Sequence, residues 1–141
     1  MNIMRFVKIS QSEVVDIRDL YEGVMSQACY GLFYREGKII GREIVDIISN
    51  SGEDFFAVSK KLLKGRGWID DISFGKDKAV VKGSIEVSKS NNPTCHRLRG
   101  IISKIYEAHL ERKVYCKEVE CKSSGGKQCV FEIEVIEARS D

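Results

Sequence analysis

Two alternating stretches, KVYCKEVEC and CVFEIEV, flank the polar segment SSGG, so the chain closes on a hairpin with a cysteine at each inner end. Apolar and polar residues in strict alternation mark a strand with one buried face. Glycines at 125 and 126 give the backbone freedom that a tight turn needs. Cys121 and Cys129 stand symmetrically about Gly125, which makes them cross-strand neighbours if the hairpin closes there, able to share one ligand.

Upstream the period is helical. From Ser12 to Phe33 the residues Val14, Ile17, Leu20, Tyr21, Val24, Met25, Ala28, Leu32 and Phe33 recur at three- and four-residue steps, with Ser12 as N-cap. The pattern resumes in GREIVDIIS after Gly37 and Gly41, so the second helix either continues the first through a kink or follows a short turn. A third helix is expected over Glu53–Leu63, ended by GRG at Gly65–Gly67. WIDDISF and AVVKGSIEVS then read as two strands joined at GKDK, a first antiparallel hairpin. After the loop SKSNNP, Thr94 is placed to cap a helix to about Leu110. The expected class is α+β: an antiparallel four-stranded sheet of two hairpins packed with helices. One domain is expected over 1–141, with 1–11 an N-terminal extension, 12–66 the helical part, and 67–136 the sheet, last helix and cysteine hairpin.

At 141 residues and 43% hydrophobic the chain is long enough for a single core. A net charge of +2 with scattered Lys and Arg gives no footprint for nucleic acid. No run reaches the ~18 apolar residues of a membrane span, and the first residues lack the layout of a signal peptide, so the expected compartment is the cytoplasm. Thiols stay reduced there, and five cysteines cannot all pair. Metal binding, catalysis or burial must account for them.

Cys95 follows Thr94 at the start of a helix, where free N–H groups favour thiolate, and could supply a third sulfur to Cys121 and Cys129. Glu118 could supply an oxygen, giving a tetrahedral site. Residues 118 and 121 of a regular strand face opposite ways, so this set requires a bulge or strand end between Val119 and Cys121. Cys116 is a rival for Glu118, both histidines are available, and buried small thiols on a sheet remain the plain alternative. Cys95 beside His96 is poor nucleophile–base geometry, because neighbouring helix residues diverge. GKIIGRE, GGKQ and GRGWID lack complete phosphate or dinucleotide fingerprints, so the residues point away from catalysis. Among the aromatic residues Trp68, Phe74 and Tyr106 are the pocket candidates, with core packing as the competing role.

The segment from Thr94 to Val135 resembles the C-terminal half of the 4-vinyl reductase domain family. The resemblance is carried by Cys95, Gly100, the strand EVEC and the closing G-x-x-C-x-F at Gly126–Phe131; GLFYREGKIIGREI resembles the N-terminal half. Members include sensor domains of phenol- and xylene-responsive activators, in which three cysteines and a glutamate hold zinc beside an aromatic-hydrocarbon pocket. The resemblance therefore implies a structural Zn2+ on Cys95, Glu118, Cys121 and Cys129, separated by 22, two and seven residues. Four protein ligands leave no open position for a reactive water. Arg97, Lys122 or Lys127 would offset the excess negative charge.

The implied function is binding or sensing of a small apolar or aromatic molecule by a homodimer, with output through a separate protein. An accessory, carrier or reductase role in tetrapyrrole 4-vinyl reduction is the alternative. A pure protein-interaction module is the third, since the fold also resembles subunits of vesicle-tethering transport complexes.

Overall fold

The computed structural model describes residues 4–136. Helix α1, Gln11–Met25, is capped by Ser10, two residues before the expected Ser12. The Glu13 N–H donates to Ser10 Oγ at 3.1 Å and the Ser10 N–H donates to Glu13 Oε1 at 2.9 Å. This reciprocal pair satisfies two helix-end donors, which Ser12 had no matching acid to do. The helix ends at Ser26, and after a single 3-10 turn, Ser26–Ala28, helix α2 runs over Cys29–Ser49.

The break therefore falls at Ser26, and not at Gly37 or Gly41, both inside α2. These glycines make a close helix contact. A Cβ at Gly37 would overlap the Arg97 carbonyl oxygen, one at Gly41 would come within 3.0 Å of Ile101 Cα, and one at Gly100 would overlap the Tyr34 carbonyl oxygen. Helix α3, Phe55–Gly65, is capped by Asp54, whose side chain accepts from the Ala57 N–H. It starts two residues later than the sequence pattern suggested.

Strands β1, Asp71–Phe74, and β2, Lys78–Lys82, form the first hairpin. The alternation that predicted strand as far as Ser88 ends at Lys82, because Gly83 takes a φ of 69° and the chain turns so that Ser84 and Glu86 are buried. Helix α4, His96–Leu110, has Cys95, not Thr94, at its N-cap, and no side chain at that position bonds the helix end. The Glu86 carboxylate does this from a distance, accepting the N–H of Arg97 at 3.2 Å and of Leu98 at 2.8 Å. Strands β3, Val114–Glu120, and β4, Cys129–Val135, form the second hairpin.

The sheet order is β1-β2-β4-β3 with every pair antiparallel, so two hairpins lie side by side as expected. Ile72, Ala79, Val81, Phe131 and Ile133 on its inner face pack with Leu98, Ile102, Ile105 and Tyr106 of α4, and α2 adds Tyr34, Ile44 and Ile48. Every residue of α4 from His96 to Ser103 is buried, as a helix between α2 and a sheet must be. Each large side chain so enclosed is worth about 1.5–3 kcal/mol. Among the described residues no helix is long and apolar enough to cross a membrane.

The α2–α4 contact gives a test within one helix. Gly37→Ala should lose about 2 kcal/mol or more in urea unfolding, because backbone blocks the new methyl. Gly31→Ala, with nothing within 4 Å, should gain about 0.5–1 kcal/mol. Equal effects would contradict the close approach.

Candidate metal centre

The α4 N-terminus and the inner ends of the second hairpin meet at one point. There Cys95, Glu118, Cys121 and Cys129 each offer a donor atom within 4.8 Å of every other, and all four residues are buried. The local cause is a register change in β3. Glu118 pairs with Phe131 but Glu120 pairs with Val130, leaving Val119 as the extra residue of a bulge, 43% exposed. That bulge, and the end of the strand at Glu120, put Glu118 and Cys121 on the same side, as their shared role required. Gly125, at φ 101°, and Gly126 close the loop; a Cβ at Gly126 would press on Glu120 and the Cys121 carbonyl.

Cys95 Sγ lies 3.7 Å from Cys129 Sγ, which lies 4.0 Å from Cys121 Sγ. Two sulfurs bound tetrahedrally at ~2.3 Å from one ion are about 3.8 Å apart, so the spacing suits a shared metal. Glu118 Oε1 accepts the Cys95 N–H at 3.0 Å, whereas Oε2 is buried with no hydrogen-bond partner among the described residues. A buried carboxylate oxygen left bare is costly, and a cation would satisfy it. The donor set therefore fits a divalent ion.

With protons as the only cations, the four groups hold little charge. Hydrogen bonding to Cys121 pushes the Cys95 thiol well up and raises Cys129 to about 12, while the same sulfurs, as donors, draw Cys121 down. Burial, then the Cys121 charge, pushes Glu118 up to about 8. A metal ion replaces those protons and lets all four act as anions. Around the sulfurs, the Cys95 thiol donates to Ser84 Oγ at 3.2 Å, and Thr94 Oγ1 lies 3.7 Å from Cys121 Sγ and 2.6 Å from Ser123 Oγ.

The rival ligands lie elsewhere. Cys116 is buried in β3, where its N–H donates to Tyr34 Oη at 3.2 Å and its carbonyl accepts from Arg99, and it is not one of the four clustered donors. His96 Nε2 faces the Pro93 carbonyl at 3.0 Å, and burial, followed by the charge of Arg99, holds the ring down to about 4. His109 lies against Phe56, with ring centroids 4.4 Å apart. Arg97 does not offset the thiols as expected: its guanidinium pairs with Glu36 at 2.9 Å and with Glu86 at 3.8 Å, over the Phe33 ring. Lys122 and Lys127 are exposed and line an open cleft of about 650 Å3 that reaches Cys129.

Of the pocket candidates, Phe74 and Tyr106 come together, with centroids 6.0 Å apart, and Phe56 of α3 stacks on Phe74 at 4.5 Å. Trp68 is half-buried before β1 and forms no ring pair with them. Sequence reasoning missed Glu86, Ser84 and Ser123. Glu86 sits in an alternating run that reads as strand, and a carboxylate capping a helix eleven residues away leaves no local signal.

The family model of the 4-vinyl reductase domain matches residues 78–135, from β2 to the end of β4. The phenol-responsive sensory domain of the transcription activator PoxR, crystallised with phenol, superposes with a TM-score of 0.78 at 15% identity, over 94% of this chain and 77% of that one. A vinyl-4-reductase family protein from Methanocaldococcus jannaschii gives a TM-score of 0.62 at 20% identity, over 94% and 85%. At such identities the likeness is one of fold. No curated protein matches the sequence. The resemblance to the 4-vinyl reductase domain family read from the sequence is borne out.

Cys121→Ser should lower metal content, measured by plasma emission, and reduce Tm by roughly 10 °C, the scale of losing a structural ion. Cys116→Ser should leave metal content unchanged; an equal loss there would break the assignment. A second test uses Glu86, which burial pushes up to about 7 against two helix-end N–H bonds and Arg97. A carboxyl raised above its unfolded value near 4.5 contributes stability below that pH and loses it as pH rises through about 7. Relative to Glu86→Gln, the natural protein should therefore lose on the order of 3 kcal/mol between pH 4.5 and 8. Parallel pH profiles would contradict this.

Proposed function

We propose that this chain, whose residues 78–135 match the 4-vinyl reductase domain model, is a zinc-stabilised domain that binds a small apolar or aromatic molecule in the cytoplasm. The observation that carries the reading is the buried cluster of three thiols and one carboxylate with a bare Glu118 oxygen, in a fold shared with a sensory domain crystallised with phenol. Sulfur-rich sets of four favour zinc over the oxygen-seeking ions. Bound there, zinc would supply a cross-link and charge neutralisation. Cys95, Cys121, Cys129 and Glu118 fill its sites, so no residue is left to activate a water.

The ligand seat we assign lies at the far end of α4. Tyr106 is fixed by donating its hydroxyl to the Gly75 carbonyl at 2.6 Å and makes one wall, with Phe74 of β1 beside it. Phe56 lies flat on Phe74, with 10° between the ring planes, and is only half-buried. An aromatic ligand would take the place of that ring as α3 moves aside, gaining the same offset stacking. His109, at the Phe56 edge, offers a polar contact for a hydroxyl. Trp68 would border this seat only at a distance.

One observation favours an added assembly role. Leu20, Tyr21 and Val24 form an exposed stripe on α1, at 62%, 41% and 76% exposure, which suits a homodimer or a separate output protein.

Native mass spectrometry of the full chain with phenol as probe tests ligand, metal and oligomer together. The expected result is zinc at one per chain and a phenol adduct that Phe74→Ala reduces at least tenfold. Zinc-bound protein that takes up neither phenol nor any co-purifying apolar compound would leave the interaction module as the better account.

A further inference from the structure

Helix α1 is lightly held. Val14 and Arg18 are its only buried residues. Arg18 is 5% exposed, unusual for a guanidinium, and it reaches the segment between β2 and α4. There Nη1 donates to the Glu86 carbonyl at 3.0 Å and Nη2 donates to Ser88 Oγ. Nε has no hydrogen bond among the described residues, with Glu22 Oε1 3.5 Å away. A buried cation in such a setting depends on those few acceptors staying in place.

The segment that Arg18 grips also backs the metal cluster. The Ser88 N–H donates to Ser123 Oγ at 3.0 Å, and the Ser90 N–H donates to the Ser123 carbonyl at 2.9 Å. Ser123 lies in the 3-10 turn directly after Cys121, and its hydroxyl meets Thr94 Oγ1, which lies beside Cys121 Sγ. A continuous hydrogen-bonded path thus runs from Arg18 through Ser88, Ser123 and Thr94 to Cys121. A second contact starts beyond α1: Tyr30 stacks at 4.2 Å on His96, the residue after Cys95, while its hydroxyl meets Glu22 of α1.

We propose that α1 is a latch whose docking depends on metal in the cluster, an inference that rests on the zinc reading above. With the ion held, Cys121 and the turn after it are fixed, Ser123 holds 88–90, and Arg18 finds both acceptors. With the ion removed, the thiols and Glu118 take back protons and the hairpin tip loosens. The Glu86 carbonyl and Ser88 hydroxyl then drift, and a guanidinium stripped of acceptors is more stable in water than buried. The helix leaves, and the surface beneath Val14 and Arg18 becomes available. The α2–α4 glycine contact and the β1–β2 hairpin are not part of this path and stay closed.

Hydrogen–deuterium exchange of the full chain, zinc-loaded and chelator-stripped under reducing conditions, tests the latch. The expected result on stripping is at least tenfold faster exchange in residues 11–25, 84–93 and 121–128, with residues 71–82 and the middle of α2 still protected. In the zinc-loaded protein Arg18→Ala should free α1 alone and leave zinc at one per chain. Coupling is reciprocal, so this variant should also weaken zinc affinity, by roughly five- to tenfold. If loaded and stripped forms exchange alike in α1 while 121–128 loosens, or if Arg18→Ala leaves α1 and zinc affinity unchanged, the latch is wrong and the zinc reading stands. Loss of protection everywhere at once also overturns the latch, since the ion then holds the whole fold. A chain that binds no zinc removes both.

Discussion

Everything near the C-terminal hairpin depends on bringing three sulfurs and a carboxylate to one buried point. Four groups that prefer to ionise in water are enclosed by protein, and at neutral pH their shared protons leave them poorly matched, with a Glu118 oxygen bare. Such an arrangement is sustained by a cation or not at all. The bulge at Val119, the tight loop at Gly125 and Gly126 and the inward turn after Gly83 all follow from it, because each moves one donor or one supporting hydroxyl into range.

The second constraint is the close approach of α2 and α4. Gly37, Gly41 and Gly100 remove three side chains so that backbone meets backbone, which sets α4 firmly between α2 and the sheet. Its N-terminus then has few routes to a partner. Glu86 supplies one by accepting two of its N–H groups, and Glu118 another by accepting that of Cys95. The metal centre and the helix cap are in this way one structure, with the aromatic group of Phe56, Phe74 and Tyr106 at the opposite end of the same helix.

Periodicity in the sequence was enough for the two hairpins and the four-stranded sheet, because alternation and turn glycines are local signals. The need for a break in β3 was also legible, since parity alone separates Glu118 from Cys121. Helix ends were less so. Ser10 with Glu13 outcompeted Ser12, and Cys95 took the position expected for Thr94, because the donors there are met by side chains distant in sequence. The glycines of α2 misled for a physical reason: a glycine at a turn and one under a crossing helix look alike until the partner is known. Arg18 and Glu86 had no local signature, as a buried charge is defined by what surrounds it.

The most direct test of the central claim is X-ray absorption at the zinc edge on protein purified without added metal. The account predicts a first shell of three sulfurs at about 2.3 Å and one oxygen at about 2.1 Å, reduced to fewer sulfurs in Cys129→Ser. A shell of oxygen and nitrogen only, a fourth sulfur in place of the oxygen, or no zinc at all would contradict it.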